Sequence, residues 1–188
     1  MPSSQYLAPG DGLIIVDVQN DFCPGGALPI PEGDGIVPVI NEWIAAASSL
    51  GLPIYFSRDF HPHKHPSFQE LGGEWPVHCV QDTWGAKFHA ELSLPREGLY
   101  VTKGVRFDRD QNSALDETGL TAQLARDSIH RVFVAGLALD VCVQATVEDA
   151  LKAGYPTWLI LEGCRAVTEE SGQRALEAMQ KLGCTIIH

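Results

Sequence analysis

The sequence predicts an α/β fold in which a six-stranded, mostly parallel sheet carries helices on both faces. Short and nearly continuous apolar runs, stretches of helical apolar spacing, and the regular alternation of these two patterns along the chain all favour this fold. Continuous apolar runs are typical of strands that are buried on both faces, and strands that alternate with helices form parallel sheets. Because no linker or internal repeat interrupts the alternation, we expect a single domain over residues 1–188.

The first half of the chain contributes three strands and one long helix. The run GLIIVDV at residues 12–18 predicts the first strand, because nearly every position is apolar. Apolar residues then recur at helical spacing over residues 36–47, with Pro38 in the first turn, where proline is tolerated. Residues 53–57 (PIYFS) and 99–102 (LYVT) predict the second and third strands.

The second half repeats the same alternation. Three further strands share a run of adjacent apolar residues, and they lie at residues 131–136, 157–161 and 184–187. Helical spacing predicts helices at 143–151 and 175–182. Each of these helices is followed by a glycine, which is the residue that most readily ends a helix.

Composition and charge limit the classes of partner. The chain has 188 residues and a formal net charge of −11, with no basic run, which argues against nucleic acid or an anionic membrane surface as a partner. No apolar stretch approaches the length of a membrane span, and the first residues lack the basic and apolar parts of a signal peptide. The five cysteines are widely spaced and do not resemble a disulfide framework, so we expect a cytoplasmic protein.

A histidine-rich segment, DFHPHKHPSFQELGGEWPVHC, follows the second strand. It holds Asp59, His61, His63, His65 and His78, although the whole chain has only seven histidines. Imidazole and carboxylate groups are ligands that suit zinc, iron and manganese. Prolines and glycines within the segment predict a loop that can bring several ligands to one point. A solvated histidine-rich loop without a metal is the alternative interpretation.

Ionisable side chains follow four of the predicted strands. Asp17, Asp59 and Lys103 come at strand ends, and Cys142 follows the turn after the fourth strand. Taken singly, each has a structural explanation as a turn former, a solvated charge or a packed thiol. Ligands bind beyond the carboxyl ends of strands in open α/β sheets, so the joint placement of the four side chains favours an active site.

The same residues suggest a reaction. A helix N-terminus and the Lys103 ammonium are expected to lower the pKa of the Cys142 thiol, which would make it a nucleophile. Asp17 is suited to take the thiol proton and deliver it later to a leaving amine. Backbone N–H groups of Ala138 and Cys142 are candidates for an oxyanion hole. This set predicts acyl transfer from an amide through a thioester.

These segments resemble the nicotinamidases (pyrazinamidases) of the isochorismatase-like cysteine hydrolase superfamily over nearly the whole chain. The matching pieces are IIVDVQNDFCPGGAL, SRDFHPHKHPSF, WPVHCVQDTWGAKFH, VTKG and VAGLALDVCVQATVEDA. The resemblance implies the deamidation of nicotinamide to nicotinate and ammonia, with pyrazinamide as a second substrate, in the salvage of NAD. The assembly state stays open, a homo-oligomer included.

The resemblance also assigns roles to individual residues. The catalytic triad that it implies falls on Asp17, Lys103 and Cys142. The implied metal ligands fall on Asp59, His61 and His78, and a further histidine ligand of some members corresponds to His65. The implied pair of aromatic residues that bind the substrate ring falls on Phe22 and Trp75. The implied cofactor is one divalent ion, zinc before iron or manganese, that anchors the ring nitrogen of the substrate. A cis peptide before Ala138 is implied as well.

One segment departs from the family pattern. After the lysine the family commonly has an aspartate followed by Tyr-Ser-Ala-Phe, whereas residues 110–115 read DQNSAL here. The loss of both aromatic residues changes a wall of the expected pocket. A related cysteine amidohydrolase acting on another small amide is therefore the main alternative. A non-catalytic structural or metal-storage protein ranks last, because it would not need Lys103.

Overall fold

The computed structural model describes residues 5–188 of the chain. Its strands are β1 (Asp11–Val16), β2 (Ile54–Asp59), β3 (Leu99–Lys103), β4 (Arg131–Leu137), β5 (Thr157–Arg165) and β6 (Thr185–Ile187). Its α-helices are α1 (Val37–Ser49), α2 (Leu120–Arg126), α3 (Gln144–Lys152) and α4 (Glu169–Lys181).

All six strands pair in parallel in one sheet, in the order β3-β2-β1-β4-β5-β6. Central strand β1 pairs with both β2 and β4, so that Leu13 lies beside Ile54 on one side and Phe133 on the other. All six residues of β1 are buried, and successive side chains of a strand point to opposite faces, so both faces of the sheet are covered. The predicted α/β fold is confirmed. The single domain over residues 1–188 stays a prediction, and its first four residues lie outside the described part.

One α-helix was not predicted, and two other elements differ from their predicted bounds by more than two residues. Helix α2 was not predicted, because it has only seven residues and two of them, Leu120 and Leu124, are buried, which is too little for a helical period to emerge. Strand β5 continues four residues beyond the predicted end, to Arg165. Helix α4 begins before the predicted residue 175, because a capping box between Thr168 and Ser171 starts it.

The strand order creates a crevice at one edge of the sheet. The chain moves outward from β1 through β2 to β3, and then returns to the other side of β1 for β4, β5 and β6. Such a reversal leaves an opening between the carboxyl ends of β1 and β4, where open α/β sheets bind ligands. Within residues 5–188, no helix is both long and apolar enough to cross a membrane.

Candidate active site

Asp17 is the first residue beyond β1 and its side chain is fully buried. Its φ of 49° lies in the left-handed region, so the chain turns sharply as it leaves the strand. Its carboxylate Oδ1 accepts a hydrogen bond of 2.7 Å from the Ser57 hydroxyl, which is also buried. Burial raises the pKa of Asp17 to about 6, although the ammonium of Lys103 acts in the opposite direction.

Lys103, the last residue of β3, lies between two carboxylates with its side chain fully buried. Its Nζ is 2.7 Å from Oδ2 of Asp17, 2.6 Å from Oδ1 of Asp59 and 3.4 Å from Sγ of Cys142. Burial alone would lower the pKa of Lys103, but the two carboxylates together raise it well above its usual value. The lysine therefore stays charged, and it joins both carboxylates to the thiol.

Cys142 lies in the turn that connects β4 to α3. The turn is a π-helical segment, Leu139–Val143, and the peptide bond between Leu137 and Ala138 just before it is cis. The cis peptide implied by the family resemblance is thus confirmed. A π-helical turn is frequent at functional sites, and here it places the cysteine at the crevice rather than on the body of α3.

The pKa of the Cys142 thiol is not lowered as the sequence led us to expect. Burial raises it well above its usual value, and the carboxylates of Asp17 and Asp59 raise it further, against the opposing charge of Lys103. The expectation was wrong because it considered a helix N-terminus and one cation, but neither the burial of the thiol nor the two nearby carboxylates. A thiol with a raised pKa stays protonated, so Cys142 could act as a nucleophile only if a base took its proton.

Asp59, His61 and His78 bring three atoms with lone pairs close together, near Lys103. His61 Nδ1 donates to the carbonyl of Gly104 and His78 Nδ1 to that of Pro76, both at 2.7 Å, since a carbonyl oxygen only accepts. In the neutral rings both Nε2 atoms are then bare acceptors, and they lie 3.3 Å apart. The Oδ2 atom of Asp59 is 3.6 Å from the Nε2 of His61. Three acceptor atoms without a proton, held this close together, fit a divalent cation. Backbone carbonyls orient the two histidine rings through their Nδ1 atoms, as is common for metal-binding histidines.

Gly104 allows this arrangement. It follows Lys103 with a φ of 67°, and a Cβ at this position would lie 2.5 Å from Cε1 of His61. Only glycine combines the left-handed backbone with this close approach of the imidazole ring.

The structure separates the other two histidines of the loop. His65 is buried with its Nδ1 2.7 Å from the Ser67 hydroxyl, whereas its Nε2 has no hydrogen-bond partner in the described part of the chain. That Nε2 is 3.9 Å from Oδ1 of Asp110, and His65 can share a metal with Asp110 and His61 rather than with the three-residue set. Its role as a ligand stays a prediction. His63 is exposed, as expected of a solvent-facing side chain.

Two buried polar side chains that support the site were not singled out from the sequence. The amide of Gln19 holds the backbone of Asp59, donating to its carbonyl and accepting from its N–H, both at 2.8 Å. Asp21 is buried and joins two loops, since its carboxylate accepts hydrogen bonds from the N–H groups of Cys79 at 2.7 Å and Ala27 at 3.0 Å. Both lie in the VDVQNDF segment after β1, and their proximity to Asp17 was the available signal.

Cys142 and two of the predicted metal ligands, Asp59 and His78, line a common cavity. Phe22 and Trp75 line it together with Cys142, Ala138 and His78. The Phe22 ring lies 5.6 Å from the His78 ring, centroid to centroid. Apolar side chains complete the wall at Leu28, Ile30, Val141 and Val167. Aromatic and apolar side chains therefore surround the part of the cavity that the Cys142 sulfur reaches.

Comparison with known proteins identifies the class. The chain matches the model of the isochorismatase domain family over residues 11–188, and it belongs to this family. The resemblance drawn from its motifs is therefore confirmed.

Within this family, the chain is similar to nicotinamidases and pyrazinamidases. The nicotinamidase of Escherichia coli (strain K12) is 36% identical, in an alignment that covers 95% of this chain and 94% of that protein. The crystal structure of the pyrazinamidase of Pyrococcus horikoshii in complex with zinc superposes with a TM-score of 0.93 at 42% identity, covering 96% of this chain and 99% of that one. PnC1 from L. infantum, in complex with nicotinate, gives a TM-score of 0.88 at 36% identity, over 94% of this chain and 91% of that one.

Proposed function

We propose that this protein is a metal-dependent cysteine amidase that hydrolyses nicotinamide to nicotinate and ammonia, and that it also accepts pyrazinamide. One observation carries the proposal: Lys103 Nζ lies 3.4 Å from the Cys142 sulfur and 2.6 Å from Asp59. Asp59 is also one of the three predicted metal ligands. A nucleophile and an ion-binding group therefore face one cavity. The named activities of the relatives support the choice of substrate.

Asp17 acts as the base in the first half of the reaction. It takes the Cys142 proton, and the sulfur attacks the carboxamide carbon to form a C–S bond. The N–H groups of Ala138 and Cys142 receive the negative charge that develops on the carbonyl oxygen, while Lys103 balances the charge on the thiolate. Asp17 then gives its proton to the nitrogen, the C–N bond breaks, and ammonia leaves a thioester on Cys142.

The second half returns the enzyme to its starting state. Asp17 takes a proton from a water molecule, whose oxygen attacks the thioester carbon. The C–S bond breaks, the proton returns from Asp17 to the Cys142 sulfur, and the nicotinic acid that forms gives its remaining proton to ammonia or solvent and leaves as nicotinate. Proton and electron pairs balance over the cycle, and the net reaction is hydrolysis.

Asp59, His61 and His78 are the residues that would hold a divalent ion. When bound, the ion would supply an electrophilic anchor for the pyridine nitrogen. We propose zinc, because two imidazoles and a carboxylate suit it and because the P. horikoshii relative was crystallised with zinc, with iron and manganese as alternatives. With the ring nitrogen fixed there and the ring between Phe22 and Trp75, the carboxamide would meet the sulfur.

The remaining context follows from the proposed reaction and the composition. Nicotinamide is a small-molecule substrate, and its deamidation places the protein in the salvage of NAD. The five widely spaced cysteines support a cytoplasmic protein, and the net charge of −11 argues against nucleic acid or an anionic membrane surface as a partner. A second candidate, hydrolysis of another small primary amide, is favoured by Asn112, which lines the cavity where the family pattern has an aromatic residue.

The test is ammonia release from a panel of primary amides that includes nicotinamide and pyrazinamide. We expect wild-type activity on nicotinamide to be lost on exhaustive chelation, to return with added zinc, and to be absent from Cys142→Ala. The matched control is Cys184→Ala, which changes another buried cysteine that does not line the cavity and should leave activity intact.

Each part of the proposal has its own contrary outcome. Turnover that survives chelation would refute the metal anchor, and turnover by Cys142→Ala would refute the nucleophile. A preference for a different amide would favour the second candidate. If no amide is hydrolysed while the protein retains its ion, the interpretation as a metal-storage protein is favoured instead.

A further inference from the structure

Asn112 presents its side-chain amide next to the sulfur of Cys142. Its Oδ1 lies 3.9 Å from the Cys142 sulfur, and its side chain lines the same cavity. Among residues 5–188, that thiol is the only hydrogen-bond partner of the Asn112 side chain. The residue is exposed at the cavity, so its amide group can exchange water for a ligand.

The backbone on either side of Asn112 is held in place. The Gln111 side chain accepts a hydrogen bond of 3.1 Å from the N–H of Gly104, and the N–H of Ala114 donates to the Thr146 hydroxyl at 3.0 Å. These anchors tie the segment to the end of β3 and to α3. The Asn112 amide is thus presented by a fixed wall, as a group that orients a substrate must be.

We propose that Asn112 is a specificity-determining residue whose Oδ1, beside the Cys142 sulfur, accepts a hydrogen bond from the amino group of a primary carboxamide. This inference rests on the proposed amidase function and adds how the leaving group is recognised. It sets a preference for primary amides over esters of the same acid.

The chemistry of the attacked carbon leads to this assignment. Because Asn112 Oδ1 lies within 4 Å of the sulfur, it also lies close to the carbon that the sulfur attacks. That carbon carries three substituents, which are the ring, the oxygen and the amino group. The ring belongs between Phe22 and Trp75, and the oxygen belongs at the N–H groups near Ala138. The amino group is the remaining substituent, and it is the one that has N–H donors for an acceptor.

The experiment compares two substrates that share one acyl group. Nicotinamide offers N–H donors, whereas methyl nicotinate has none. The variant is Asn112→Leu, which keeps the approximate size of the side chain but removes the acceptor. The control is Asn41→Leu, a change in α1 away from the cavity.

We expect Asn112→Leu to lower kcat/KM for nicotinamide about tenfold and to change kcat/KM for methyl nicotinate less than about twofold, since a neutral hydrogen bond is worth about that factor. Asn41→Leu should leave the ratio of the two values at its wild-type level. The ester reports on the nucleophile and on folding within the same protein sample.

Two results would overturn the inference: equal losses for amide and ester, which indicate a general effect on the cavity, or no loss for the amide. If wild type hydrolyses another primary amide instead of nicotinamide, the proposed substrate fails, and the comparison uses that amide and its methyl ester. If wild type hydrolyses no primary amide, the proposed function and this inference fail together.

Discussion

The hydrogen bond from Ser57 to Asp17 makes a quantitative prediction about the pH dependence of the reaction. The Ser57 hydroxyl donates to the carboxylate at 2.7 Å, with both residues buried. A donor stabilises the ionised form of a carboxylate, so Ser57→Ala must raise the pKa of Asp17. The substitution removes one oxygen atom and leaves the Lys103 contact in place.

The size of the effect follows from the type of bond. A hydrogen bond to a charged group contributes about 1.5–3 kcal/mol, and one pKa unit corresponds to about 1.4 kcal/mol. The pKa of Asp17, about 6 in the intact site, should therefore rise by about one to two units. Asp17 works as a base only when ionised, so activity is present above this pKa and is lost as the pH falls through it.

The measurement is kcat/KM for nicotinamide across pH 4.5 to 9, by ammonia release. The acidic limb of the profile should lie near pH 6 in wild type and move upward by about one to two units in Ser57→Ala. Ser49→Ala, which removes an exposed hydroxyl at the end of α1, should leave the limb where it is. A limb that stays in place or moves to lower pH in Ser57→Ala would refute Asp17 as the titrating base.

Two further predictions concern the supports of the site. Gly104→Ala should weaken zinc binding at least about tenfold, measured by competition with a chromogenic chelator, because the added Cβ would lie 2.5 Å from the His61 ring. Asp21→Ala should lower the free energy of unfolding by about 3 kcal/mol in denaturant titrations, since the N–H groups of Cys79 and Ala27 lose a charged acceptor.

Matched substitutions separate these effects from general damage. Gly51→Ala also changes a glycine of positive φ, but nothing lies within 4 Å of the added Cβ, so zinc affinity should not change. Asp34→Ala removes an exposed carboxylate and should change the unfolding free energy by no more than about 0.5 kcal/mol. Equal effects within either pair would contradict the role given to Gly104 or to Asp21.

The strands of the sheet could be predicted because each one is encoded by residues that are adjacent in the sequence. Each strand is a short apolar run, and the strand ends identified Asp17, Asp59 and Lys103 as neighbours once the sheet was taken as parallel. Helix α2 could not be predicted, since a seven-residue helix makes barely two turns. The start of α4 depended on a capping box that the apolar spacing does not contain.

The site was harder to predict where its geometry depends on contacts distant in sequence. Gln19 and Asp59 are 40 residues apart, and Asp21 and Cys79 are 58 apart, so no local pattern connects them. The predicted direction of the Cys142 pKa shift was wrong for the same reason, because the burial that raises this pKa and the carboxylates of Asp17 and Asp59 come from segments distant in sequence. The roles of the triad, of the metal ligands and of the aromatic pair stay predictions that the proposed experiments address.

Asp59 divides its carboxylate between the two halves of the site. Its Oδ1 contacts Lys103 and its Oδ2 faces His61, so neither half is an independent module. Grafting the histidines onto a relative without this aspartate would supply only two of the three groups proposed to hold the ion, and it would leave the lysine with one counter-charge fewer. We therefore expect substitutions of the histidines to be tolerated more readily in evolution than a substitution of Asp59, because only Asp59 contacts both Lys103 and the histidines.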